Sequence, residues 1–175
     1  VRPWVVKVLD FLEEYYHLPW IHPALAGYSP TPAHYHCNAG DRFVGTATRD
    51  YHPADTSGPA MPEFPGLTEA QRLVGEYPVV FPNLWLGIQV DHLFAVVVYP
   101  KEVGLTEQRF HLYFIGDEAL GAKYATTRAD IIRRWRTINL EDVEITERLQ
   151  AGRASPGFDG GALSPVHDFG SHHFM

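Results

Sequence analysis

The sequence predicts an α+β domain, an antiparallel sheet with a long helix packed across it. Two observations carry that prediction. Short β-rich runs follow one another with only turns between them, which is how antiparallel strands are joined. A helical stretch over roughly 127–151 comes after them, and a long helix laid across such a sheet makes an α+β layer.

The elements follow in order. Residues 5–16, VVKVLDFLEEYY, place apolar side chains at 5, 8, 9, 12, 15 and 16, a helical stripe. Pro19 and Pro23 end any regular helix soon afterwards. His17 therefore falls at a helix end and His22 about one turn beyond it. Residues 25–41 are rich in Gly, Pro, Ser and Asn and read as a loop. FVGTATRDY at 43–51 is strand-like. Proline and glycine crowd residues 52–68, the mark of a long excursion. After a short helical piece near 68–75, NLWLGIQV at 83–90 and LFAVVVYP at 93–100 read as strands, with Asp91-His92 as their hairpin turn. RFHLYFIG at 109–116 alternates as a further strand. Helix is expected over 117–123 and 127–151, and a Gly/Pro/Ser-rich tail over 153–166.

Composition narrows the function. At 175 residues and 45% hydrophobic content, the chain suits one domain with a real core. Its net charge of −7 argues against a nucleic-acid partner, which calls for a basic face. No apolar run approaches the roughly 20 residues of a membrane span. No signal peptide opens the chain, and residue 1 is Val, which points to a start inside a longer protein. Cys37 is the one cysteine, so no disulfide forms within the chain and a cytoplasmic setting is the default. Cys37 itself reads as a small residue in a polar loop. His34, His36, His52, His167, His172 and His173 share no regular spacing and read as structural or incidental.

The sharpest local feature is EEYYHLPWIHPAL at 13–25. Two histidines five residues apart, the first at a helix end, can turn both imidazoles toward one point, and neutral imidazole is the commonest metal ligand. On spacing alone, such a pair beside prolines is more often structural. Zinc and iron also stay equally open on spacing.

The wider string resembles the iron-binding motif of Rieske oxygenase α subunits: an acidic residue, two positions, His, four positions, then His-Pro. The second motif of that family, Glu-Asp followed by spaced apolar residues and Gln-x-Gly, is matched by EDVEITERLQAG at 141–152. Phe81-Pro82-Asn83 and the tail segments SPGF at 155–158 and GGALS at 160–164 also resemble it. Asp10 departs from the pattern, standing where many members carry Asn.

The resemblance implies a helix-grip fold and one mononuclear Fe(II) held by His17, His22 and Asp142. Two imidazoles and one carboxylate on one face of the ion would leave positions open for O2 and substrate. Glu14 takes the place of the family's bridging acid, which passes an electron from the Rieske cluster of a neighbouring subunit. Glu rather than Asp there resembles the branch acting on choline, carnitine and betaines. Glu141 and Glu144 read as ordinary acids favoured near a helix start. The [2Fe–2S] Rieske cluster needs two Cys and two His. One cysteine does not supply it, so the resemblance puts the cluster in a domain upstream, with this chain cut at both ends.

The implied function is O2-dependent hydroxylation or oxidative demethylation of a small organic substrate. An NAD(P)H-dependent reductase or ferredoxin would feed electrons to a homotrimer. Aromatic-ring dioxygenation is the alternative within the family, and an iron-free helix-grip domain that binds a hydrophobic ligand is the alternative outside it. Candidate pocket walls are Trp20, Phe81, Trp85, His92, Phe94 and Phe110, which could box a quaternary ammonium or stack on a flat ring.

Overall fold

A computed structural model describes residues 15–39, 41–52, 56–102 and 104–174. The helix expected over 5–16, with Asp10, Glu13 and Glu14, lies outside the described residues except for Tyr15 and Tyr16, which open a 3-10 turn, Tyr15–His17. Two single-turn helices follow, α1 (Leu18–Ile21) and α2 (Pro23–Ala26).

Six strands then form one antiparallel sheet whose spatial order is the chain order: β1 (His34–Ala39), β2 (Phe43–Thr48), β3 (Gly75–Val80), β4 (Leu84–Ile88), β5 (His92–Glu102) and β6 (Leu105–Phe114). The short helix α3 (Glu69–Arg72) precedes β3 and starts with a capping box between Thr68 and Gln71. After β6 come two 3-10 turns, the 29-residue helix α4 (Ala125–Arg153) and a closing helix α5 (Phe169–Phe174).

Strand β5 shows why one face is core: burial alternates along it, with Phe94, Val96 and Val98 inward. Those side chains join Val44, Val79 and Trp85 from neighbouring strands, and Ile131 and Trp135 of α4 close over them. A second cluster of Leu18, Leu25 and Tyr51, with Ile138 packed against it, fixes α1 and α2 beside the same helix. The sheet, α4 and the segment carrying both histidines therefore meet along one seam.

Several expectations change. The loop expected over 25–41 contains α2 and the edge strand β1, and Cys37 is on that strand. Burial, then Glu76, pushes its thiol up to about 11, so it is no activated nucleophile. The helical piece expected to reach residue 75 stops at Arg72, and β3 begins at Gly75. His92 opens β5 instead of forming the turn, which is closed by the Gln89 N–H donating to the His92 carbonyl at 2.9 Å. Residues 117–124 make 3-10 turns rather than α-helix.

Two glycines are required by close approach. A Cβ on Gly45 would lie 2.2 Å from the Tyr77 carbonyl oxygen, where β2 crosses β3. A Cβ on Gly87 would lie 2.1 Å from the Phe94 ring, its cross-strand partner. Among the described residues no helix is long and apolar enough to cross a membrane.

Candidate metal centre

His17 closes the Tyr15–His17 turn, and Leu18 and Pro19 open α1 immediately after it. The His22 N–H donates to the Leu18 carbonyl at 2.9 Å and ends that single turn, and Pro23 begins α2. One helical turn framed by two prolines thus brings the two imidazoles to 5.3 Å between centroids, inclined at 71°. Leu18 and Leu25, both buried, anchor the turn from below.

Asp142 arrives from α4. His22 Nε2 and Asp142 Oδ1 are 2.7 Å apart, and one donor atom from each of His17, His22 and Asp142 lies within 4.8 Å of the others. Among the described residues this is the one group of His, Cys and acidic side chains close enough to hold a metal ion. The donor set suits a borderline divalent ion such as Fe(II), because two imidazoles and one carboxylate fill a single face and no thiolate competes.

His22 is 3% exposed. Burial, the largest single influence, pulls its pKa down. The hydrogen bonds and charges of Asp142 and Glu141 together outweigh that pull and raise it. The Glu141 contact is to the other ring nitrogen, with Nδ1 and Oε2 2.7 Å apart.

The three donors sit in the wall of a cleft. Tyr15, Tyr77, Trp85, Phe94, Phe110 and Trp135 give it aromatic walls, and Ser29, His34, Thr46 and Asn139 add polar points. The Phe94 ring is the hub, 4.5 Å from Trp135 and 5.1 Å from Phe110. Behind Trp135 its indole N–H donates to His92 Nε2 at 2.7 Å, and His92 Nδ1 faces Asp91 Oδ1 at 2.5 Å. An indole is a donor only, so His92 must accept at Nε2 and carry its proton on Nδ1.

Of the wall candidates read from the sequence, Trp85, Phe94 and Phe110 line the cleft. Trp20 does not, because it follows Pro19 on the outer side of α1 and is 84% exposed. Phe81 packs instead on Phe174 of α5, with centroids 5.4 Å apart. His92 is buried behind Trp135 as its hydrogen-bond partner. Tyr77, Trp135 and Asn139 were missed. Trp135, Ile138, Asn139 and Asp142 stand at i, i+3, i+4 and i+7, one face of a helix, and that periodicity was available as a signal.

Glu141 was also missed. It sits deep inside α4, far beyond the first turn where the helix dipole favours acids, so the reading as a helix-start acid does not apply. Glu144, read the same way, is paired with Arg148 on the exposed face of the helix.

The sequence pattern of one family, the ring hydroxylating alpha subunit (catalytic domain), matches residues 8–175. The chain belongs to that family. The resemblance read from the motifs at 13–25 and 141–152 is thereby borne out. Two solved structures of a quaternary ammonium Rieske monooxygenase superpose on this alpha-subunit domain. One is CntA in complex with the inhibitor MMV12, at 17% identity and a TM-score of 0.74, covering 98% of this chain and 44% of that one. The other, described in connection with carnitine oxidation by gut microbiota and inter-subunit electron transfer, has 18% identity and the same TM-score of 0.74, with 98% and 45% covered. At that identity the likeness shows the helix-grip fold. The alpha-subunit domain spans less than half the length of either neighbour. No curated protein matches the chain.

Proposed function

We propose that the alpha-subunit domain is the catalytic part of a Rieske-type non-haem iron oxygenase, with His17, His22 and Asp142 holding one mononuclear Fe(II). The observation that carries this reading is the convergence of those three donors in the wall of an aromatic cleft. Iron, when bound there, supplies the activation of O2 for hydroxylation or oxidative demethylation.

The chain's own residues do the rest. His22 and His17 present ring nitrogens and Asp142 a carboxylate, leaving the cleft side of the centre free for substrate. Trp85, Phe94, Phe110, Trp135 and Tyr77 exclude water and set a flat or cationic substrate beside the ligands. Asn139, one helical turn before Asp142, offers an amide to orient a polar substituent.

A quaternary ammonium substrate fits this lining through cation–π attraction, and the structural neighbours carry that description. The same rings would stack on an aromatic hydrocarbon, so ring dihydroxylation is the second reading. Glu14 is proposed as the electron relay from a Rieske [2Fe–2S] cluster in a neighbouring subunit of a homotrimer. A cytoplasmic NAD(P)H-dependent reductase or ferredoxin would be the source of electrons.

The test is made on the full-length protein with its reductase. His17→Ala and Asp142→Ala are each expected to remove iron and all turnover. Glu14→Gln is expected to keep iron and lose turnover. Iron at wild-type stoichiometry in Asp142→Ala would sink the ligand assignment, and it would favour a ligand-binding domain without iron. Substrate-dependent O2 uptake with trimethylammonium compounds, set against aromatic hydrocarbons, separates the two substrate classes.

A further inference from the structure

Helix α4 meets His22 with two consecutive carboxylates, one at each ring nitrogen. Asp142 Oδ1 is 2.7 Å from Nε2, and Glu141 Oε2 is 2.7 Å from Nδ1. Neighbours on a helix point about 100° apart, so they rarely serve one partner. Here both reach the same imidazole, one at each ring nitrogen. The ring is 3% exposed, while the Glu141 side chain is 35% exposed and reaches it from the rim.

We propose that Glu141 is a positioning residue for the metal centre: it accepts the Nδ1–H of His22, fixing the tautomer and the ring plane that aim the Nε2 lone pair at the ion. This rests on His22 being a ligand.

Three observations support it beyond the distance. Nδ1 is on the side of the ring away from the Asp142 oxygen, so it is the nitrogen left over when Nε2 ligates. The His22 backbone is held between two prolines and its N–H is bonded to Leu18, so the ring is carried on a fixed stem. The next acid along, Glu144, is turned away to Arg148, so the contact belongs to position 141 and not to acidic α4 in general. A carboxylate on the outer nitrogen of a ligating histidine also makes the ring a stronger donor, and loss of such a partner typically costs about 10–100-fold in metal affinity.

The experiment measures Fe(II) affinity of the full-length protein, without oxygen, by competition with a coloured chelator. Glu141→Leu, which fills the space but accepts nothing, is expected to bind iron about 10–100-fold more weakly. Glu141→Gln, whose amide oxygen can accept the same proton, is expected to recover most of that loss, and Glu144→Ala to match wild type. A Leu variant that holds iron within twofold of wild type, or a Gln variant as weak as Leu, overturns the proposal. Should Leu fail to fold, Glu141→Ala takes its place. The ring proton of His22 in the zinc-loaded wild-type protein, followed by nitrogen-15 NMR, must sit on Nδ1; finding it on Nε2 also overturns the proposal. Asp142→Ala run alongside separates the two claims. If it loses iron while Leu does not, positioning fails alone. If it keeps iron, the ligand assignment fails.

Discussion

Phe94 takes the space that a side chain on Gly87 would occupy, and that exchange shapes the cleft. The two residues are cross-strand partners, and the ring folds back over the glycine. An added methyl at Gly87 would lie 2.1 Å from two ring carbons of Phe94, far inside contact distance. The ring must then swing into the cleft, where Trp135 and Phe110 already touch it. Gly87→Ala is expected to lower stability by about 1–3 kcal/mol, the usual cost of overpacking. A urea midpoint measures it. The variant is also expected to weaken binding of the larger substrates first. Unchanged stability would mean that the strand can shift to accept the methyl. The sequence showed Phe94 as an aromatic in a strand but gave no sign that a glycine seven residues earlier makes its place.

At the scale of elements, helix α4 and the β4–β5 hairpin are joined by the line Asp91–His92–Trp135. Both outer contacts are short, and His92 and Trp135 are 2% and 4% exposed. Replacing His92 with Leu keeps the volume but leaves the indole N–H and the Asp91 carboxylate without their partner. A loss of about 1–3 kcal/mol is expected, as for other buried groups stripped of a hydrogen bond. Indole emission should change with it, because the Trp135 N–H loses its hydrogen-bond partner. Wild-type stability in the Leu variant would show that water replaces the ring.

The elements themselves were unevenly legible. Strands β4 and β5 and helix α4 announced themselves because apolar residues dominate the strands and good helix formers fill α4. Strand β1, HYHCNA, is an edge strand without an apolar face, so periodicity had nothing to report. Strand β3 hides behind Pro78, which normally argues against a central strand. Pro78 is tolerated because it faces Gly45, and because the pairing of β3 with β4 resumes only at Val79 with Trp85. The three side chains proposed as metal ligands were singled out through the motif rather than through physics, since two histidines and a distant aspartate say little by spacing. Glu141 was hidden by being an ordinary acid on a helix.

For the molecule as a whole, the candidate metal centre ties together chain segments more than a hundred residues apart; His22 and Glu141 alone are separated by 119 positions. The sheet is a meander in chain order, so each strand pairs with the next one in the chain, while the contact of α1 with α4 is among the few that bridge the two ends. An ion held at both ends stabilises the folded state alone, by about 2.7 kcal/mol when free metal stands at a hundred times its dissociation constant. Iron or zinc is therefore expected to raise the melting temperature of the wild-type protein and to leave Asp142→Ala unmoved. Equal shifts in both would place the bound ion elsewhere.

Helix α4 carries the proposed ligand and the cleft wall on one stripe, Asp142, Asn139, Ile138 and Trp135. A helix rises about 1.5 Å per residue. That stripe is then a ruler with its zero at the ion: Asn139 and Ile138 lie about 5 Å along it and Trp135 about 10 Å. On the proposed function, the length of substrate admitted is expected to be reset one graduation at a time, shortened by bulk at 139 and lengthened by trimming at 135, without disturbing the mark from which it is measured.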